Sequence, residues 1–148
     1  MTAAGGANPT ESAEVVPDYI ITFDGGSKGN PGPGYGSYEL RTATGRSRIE
    51  RLDYGDGVTN NEAEYRTLIA ALDDLKRTIV NAGRDPRQYR LLVVGDSQLV
   101  INQLNGLWKV KHEALRPLVV TAKTLIAAFG EVRLRWHPRA RSVATLGH

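Results

Sequence analysis

The sequence predicts an α/β domain built on a mixed five-stranded sheet with helices packed on it, and three observations carry that expectation. Three short strand-like segments come first, at Tyr19–Phe23, Tyr35–Arg41 and Ser47–Tyr54. At Asn61 the apolar period changes to that of a helix, with Tyr65, Leu68, Ile69, Leu72, Leu75 and Ile79 on one face. Two further strands then alternate with helices, giving the order βββαβααβ: an antiparallel meander followed by parallel βα units.

The elements are justified in turn. Tyr19–Phe23 is apolar and β-branched, as a buried strand is, and Asp24 closes it. Tyr35–Arg41 alternates in the manner of a half-exposed strand, and Ala43–Arg46 turns the chain into Ser47–Tyr54. Thr59, Asn60 and Asn61 are candidate caps for the long helix, whose first turn holds Glu62 and Glu64. Glu62 is expected to face solvent. Gly83–Arg87 is a loop, and the strand Arg90–Val94 is continuously apolar from Leu91, which predicts burial on both faces. Ser97 caps a short helix to about Leu104 that Asn105-Gly106 ends. A longer helix runs from about Glu113 to Ala128, with Pro117 admissible only in its first turn, and Val132–Trp136 is the last strand. Residues 1–17 are small, polar and Pro-containing and read as a disordered lead, leaving one domain over 18–148.

Composition narrows the chemistry. With no Cys among 148 residues, disulfides, thiolate metal sites and thiol nucleophiles are excluded. No apolar run is long enough to cross a bilayer and no signal peptide is recognisable, so the expectation is a cytoplasmic protein. The net charge is only +3 but unevenly placed. Residues 1–18 carry Glu11, Glu14 and Asp18 without a cation, whereas the stretch from Leu107 onward holds eight Lys or Arg against Glu113 and Glu131. That asymmetry suits a polyanionic partner, and equally a solvated basic face.

The chemistry-bearing residues sit where a mixed sheet forms its sites, at the carboxyl ends of strands. Asp24 follows the first strand, Asp96 follows the strand ending at Gly95, and Glu64 lies in the first helical turn. If the two strands are neighbours, three carboxylates converge with no obvious Lys or Arg beside them. Their repulsion is relieved by hard divalent cations, two of which can serve in-line displacement at phosphorus. Taken singly, each acid also has an ordinary structural reading, as an N-cap, a turn residue or a first-turn helix charge. The glycine-rich stretch GGSKGNPGPG fits neither nucleotide-binding fingerprint, since a strand and not a helix follows it. It suits a loop lying flat against a sugar-phosphate backbone, with Lys28, Asn30 and main-chain N–H groups as contacts.

Four segments, DGGSKGNPGPGYGSY (24–38), TNNEAEYRTLIAAL (59–72), VVGDSQLVINQLNGLWKVKHEALRPL (93–118) and WHPR (136–139), resemble type 1 ribonuclease H in the family's order. The likeness covers roughly residues 19–140 and is to the compact variant without the long basic handle. It implies the ribonuclease H-like fold and hydrolysis of the RNA strand of RNA/DNA hybrids with two Mg²⁺ or Mn²⁺ ions, leaving 5′-phosphate and 3′-hydroxyl ends. The positions that match the family's metal-binding carboxylates are Asp24, Glu64 and Asp96. Those that match its hybrid contacts are Ser27, Gly29, Asn30, Asn60, Asn61 and Gln98, which sense 2′-hydroxyls, and Thr59 with Asn60, which hold a DNA-strand phosphate. Lys28 joins this set, and Trp108, Lys109 and Lys111 are candidates for the DNA backbone; a core-capping Trp with two solvated Lys is the structural alternative. His137 is a candidate for the family's mobile His. The expected partner is an RNA/DNA hybrid, read by shape with little sequence preference by a monomer.

The resemblance breaks at the last segment. The family carries a fourth carboxylate there, opening a final helix, but here WHPRARSVATLGH places Thr145 or Leu146 at that position. The final helix is expected to be absent or one turn long. Three outcomes stay open: His148 or the terminal carboxylate supplies the ligand, with a preference for Mn²⁺; three carboxylates work more slowly; or the protein only binds hybrids.

Overall fold

The computed structural model describes residues 16–147; most of the predicted lead, and His148, lie outside the described residues. Five strands form one sheet: β1 (Tyr19–Ser27), β2 (Gly32–Thr42), β3 (Ser47–Val58), β4 (Arg90–Gly95) and β5 (Glu131–Trp136). Their order is β3-β2-β1-β4-β5. β1, β2 and β3 pair antiparallel, and β4 and β5 join in parallel. The helices are α1 (Asn60–Asn81), α2 (Gln98–Leu104), α3 (Arg116–Ile126, after a 3₁₀ turn at Glu113–Leu115) and α4 (Arg139–Leu146). The predicted meander with βα units is thus the observed topology.

One face of the sheet holds the main core. Ile21 and Phe23 of β1, and Leu91 and Val93 of β4, are buried beneath Tyr65, Leu68, Leu72, Leu75 and Ile79 of α1, the predicted stripe except for half-buried Ile69. Val119 and Ala122 of α3 close the same cluster, with Pro117 in that helix's first turn as its fixed φ requires. A buried hydrogen bond from the Tyr65 hydroxyl to Gln103 Oε1 (2.6 Å) ties α1 to α2. The helix α1 starts on Thr59, whose side chain accepts from the Glu62 N–H while Glu62 Oε1 accepts from the Thr59 N–H. Glu62 is therefore the second half of a capping box and not the solvent-facing acid expected.

Several boundaries differ from expectation, each for a physical reason. Asp24 does not end β1. The strand runs three residues further, to Ser27, because Gly25 and Gly26 stay paired with Gly36 and Tyr35 of β2. β3 likewise continues past Tyr54 to Val58 through register shifts opposite Gly32–Tyr35. β4 is buried on one face only: Leu92 and Val94 are half-buried, because the helix on the second face, α4, packs on β1 and β2. α4 itself spans eight residues, two turns rather than one or none, and ends at Gly147 with φ +81.

Gly25 positions the site most directly. A Cβ there would lie 2.6 Å from the carbonyl carbon and oxygen of Ala63, so only glycine lets β1 and the first turn of α1 touch backbone to backbone. We expect Gly25→Ala to force the helix off the strand, costing about 2 kcal/mol or more in urea denaturation. Unchanged stability would show that the contact is not needed.

Candidate metal centre and nucleic-acid interface

The parallel pairing of β1 with β4 sets Phe23 against Gly95, so Asp24 and Asp96, the next residue on each chain, emerge side by side. α1 delivers Glu64 from above, held by the Gly25 N–H donating to Glu64 Oε1 (2.6 Å). Asp24, Glu64 and Asp96 each offer a carboxylate oxygen, and these oxygens lie within 4.8 Å of one another. Asp24 and Glu64 are buried, and the Asp96 side chain is 8% exposed.

Three carboxylates packed so closely repel one another when charged. Burial, and then the charges of Asp24 and Asp96, push the Glu64 carboxyl well above its ordinary range, against the Gly25 hydrogen bond and the nearby Arg139. Arg139 is the cation that the sequence reading did not find: its Nη1 stands 4.0 Å from Asp96 Oδ2. Asp96 Oδ2 is buried and accepts no hydrogen bond among the described residues. A set of oxygen donors only, closely spaced and mutually repelling, fits a hard divalent cation such as Mg²⁺ or Mn²⁺.

The glycine loop lies beside this cluster. Its turn passes through left-handed backbone at Gly29 (φ +114) and Asn30 (φ +34). The loop is fastened to the start of α1 by two bonds: Ser27 N–H to Asn60 Oδ1 (2.7 Å) and Asn60 N–H to Asn30 Oδ1 (2.9 Å). Ser27, Asn30, Asn60 and Thr59 are thereby one assembly, and Asn61, Thr59 and Asn30 line a recess of about 270 Å³ with His112. Lys28 and Gly29 are exposed on the loop, and Gln98 is exposed as the first residue of α2. Trp108, Lys109 and Lys111 line a second recess of about 560 Å³, and Trp108 is 47% exposed. His112 borders both recesses.

The last segment places His137, Thr145 and Leu146. His137 is buried, and donates its main-chain N–H to the Gly95 carbonyl (2.9 Å), while its Nε2 lies 2.8 Å from Ser142 Oγ. Its ring is thus hydrogen-bonded to α4, and burial lowers its pKa although the Asp96 charge opposes this. Leu146 is fully buried and offers no ligand, and Thr145 is half-buried. His148 lies outside the described residues. The Trp136 indole N–H, donating to the Asp96 carbonyl (3.1 Å), is a support the sequence did not suggest.

A sheet of this order with carboxylates converging where its two central strands emerge is the class of ribonuclease H-like folds. The family description "Reverse transcriptase-like" matches residues 22–145. Over 140 residues the chain is 38% identical to "Ribonuclease HI" of Halobacterium salinarum, covering 91% of this chain and 66% of that protein. Over 124 residues it is 42% identical to the "Bifunctional protein Rv2228c" of Mycobacterium tuberculosis, covering 83% of this chain but 32% of that one. Among solved structures, the N-terminal RNase H domain of Rv2228c superimposes with a TM-score of 0.74 at 39% identity, covering 86% of this chain and 87% of that one. LC11-RNase H1 in complex with an RNA/DNA hybrid superimposes with a TM-score of 0.74 at 27% identity, covering 85% and 89%. The chain belongs to the ribonuclease H family of enzymes. It spans about a third of the mycobacterial relative and two thirds of the halobacterial one.

The raised Glu64 carboxyl fixes the sign of a pH dependence. A group held above its unfolded value of about 4.5 favours the fold below that value, and the contribution is lost as pH rises through the folded value. Without divalent cations, stability should therefore fall as pH rises toward neutrality, and Glu64→Gln should flatten the curve and raise the melting temperature at pH 7 by about 3 °C or more. Parallel, unshifted melting curves across pH for the two proteins would contradict the crowding of these acids.

Proposed function

We propose that this chain is an endoribonuclease that hydrolyses the RNA strand of RNA/DNA hybrids, leaving 5′-phosphate and 3′-hydroxyl ends, with two divalent ions, Mg²⁺ or Mn²⁺, held by Asp24, Glu64 and Asp96. The observation that carries the reading is the contact of the acidic cluster with a loop already fastened for a nucleic-acid backbone: Gly25 bonds Glu64, and two residues on Ser27 bonds Asn60. The divalent ions supply, when bound, neutralisation of charge at phosphorus and activation of water. The protein's own groups do the rest. Asp24, on the central strand, lies with Glu64 and Asp96 in one cluster of carboxylates. The Gly25 N–H fixes the Glu64 carboxylate, and the Trp136 indole fixes the backbone at Asp96. The loop from Ser27 to Asn30, with Asn60, Asn61 and Gln98, presents amide and hydroxyl groups suited to the 2′-hydroxyls of a minor groove, which is how RNA is distinguished from DNA. Thr59 and Asn60, beside the recess that Thr59 and Asn61 border, suit a phosphate of the DNA strand, and Trp108, Lys109 and Lys111 extend that strand's path. The reading takes the protein as a monomer acting in the cytoplasm; among the described residues no helix is long and apolar enough to cross a membrane.

A second reading, a hybrid-binding module without cleavage, is favoured by one observation: the two positions where the family pattern can set its acid hold half-buried Thr145 and buried Leu146, neither of them a carboxylate. A single substitution separates the two. Asp96→Asn should lower cleavage of a labelled hybrid by more than about 10²-fold while hybrid binding is retained or tightened, because one repelling charge is gone. Equal behaviour of wild type and Asp96→Asn would leave only the binding module. Deleting Gly147-His148 tests the remaining ligand candidate, His148: a strong loss of cleavage is expected if the tail completes the site, and unchanged cleavage would remove it.

A further inference from the structure

The cross-strand register lays out a row that continues past the acidic cluster. Asp24 of β1 faces Ser37 of β2, and Ser37 faces Arg51 of β3, so the three side chains leave the same face of the sheet in one line. At a strand spacing of about 4.8 Å, Arg51 stands about 10 Å from Asp24. Between them the surface opens into a recess of about 400 Å³, whose lining includes Lys28, Tyr35, Ser37, Arg51 and Arg139. Three of the residues lining this recess are cations and none is an acid. This is the reverse of the cluster next door, and it is a different place from the Thr59–Asn61 recess on the other side of the loop.

Arg51 is not a loose surface cation. Its Nη2 donates to the Leu146 carbonyl (3.0 Å) at the end of α4, which tethers the exposed guanidinium. It forms no ion pair among the described residues, so its charge is not neutralised there. Lys28 comes from the glycine loop, and Arg139 opens α4 with its side chain 67% exposed. Three separate elements therefore converge positive charge on one recess, with a fork suited to phosphate at its far wall.

We propose that this recess is a phosphate subsite for the RNA strand, holding a phosphodiester beyond the one that lies over Asp24, Glu64 and Asp96, with Arg51 as its anchor. The proposal rests on the hybrid-cleaving reading above, and it adds a positioning role: a strand pinned on the Arg51 side cannot slide past the carboxylates. The acidic cluster repels the backbone it must approach, and a cationic wall one step along the same sheet row offsets that repulsion.

The test measures binding of the full-length chain in an Asp24→Asn background, where the hybrid is not cut. Adding Arg51→Gln should weaken hybrid binding about five- to tenfold at 0.1 M salt and lower the slope of log affinity against log salt by about one. Arg51→Lys should keep the slope. A scan of wild-type protein against hybrids carrying one neutral methylphosphonate at a time needs no mutation at Arg51, and should find one sensitive RNA-strand link beside the cleavage point; Arg51→Gln should abolish that sensitivity. If Arg51 serves only to cap α4, the melting temperature falls while the salt slope and the scan are unchanged, and the subsite is overturned. A sensitive link found only in the DNA strand overturns it too. If the Asp24→Asn protein does not prefer hybrid to DNA duplex, the functional reading fails first, and the subsite with it.

Discussion

The site depends on one backbone contact between a strand and a helix. Gly25 presses against Ala63 and Glu64 with no room for a side-chain atom, and its N–H donates to the Glu64 carboxylate. Move the helix outward by the width of a methyl group and three things fail together. Glu64 loses its bond and leaves Asp24, the Asn60–Ser27 bond is stretched, and the stripe of α1 from Leu68 to Ile79 lifts from β1 and β4. A packing requirement in the core and a distance requirement among the acids are thus met by the same missing Cβ. That explains why the chain places its most permissive residue next to its most constrained carboxylate.

The acidic cluster is a local conflict that the remainder of the fold tolerates. Two buried acids and a third nearly so lie within 4.8 Å, and burial alone raises Glu64 before its neighbours act. Burial without compensation costs several kcal/mol for a charged group. Arg139 supplies only partial relief, because at 4.0 Å and largely exposed it is screened by solvent. The remaining negative potential is what an oxygen-seeking cation requires, so the instability and the binding capacity are one property.

Much of this was legible in the sequence because local chemistry and global fold agree. The change of period at Asn61 marked α1, Thr59 marked its start, and the apolar run before Asp96 marked a central strand. Asp24, Glu64 and Asp96 were recoverable because each sits next to an element whose type was clear. What was not legible depended on distance in three dimensions. Gly25 and Gly26 looked like a loop because glycine disfavours strands, yet pairing with Gly36 and Tyr35 overrides that preference. Glu62 looked like a surface acid although Thr59-x-x-Glu62 has the spacing of a capping box, which the side chain closes by folding back. Arg51 and Arg139 lie 27 and 115 residues from Asp24, and no local pattern announces that register and α4 bring them to one recess.

The final helix shows how a departure from a family pattern can be structural at one position and chemical at the next. Leu146 gives α4 an apolar anchor, and its carbonyl, one of the groups a helix end leaves without an internal partner, is taken by Arg51. Ser142 holds His137, and His137 in turn holds the Gly95 carbonyl just before Asp96. α4 therefore supports the site from behind even though its own described residues bring no acid to it, and the side it shows to solvent beside the acids is cationic through Arg139. Negative charge is confined to the ends of β1 and β4 and the start of α1, and positive charge lines the flank. On the hybrid-cleaving reading, a nucleic-acid strand on this surface would meet attraction beside repulsion, an arrangement that would favour one register of the backbone over its neighbours.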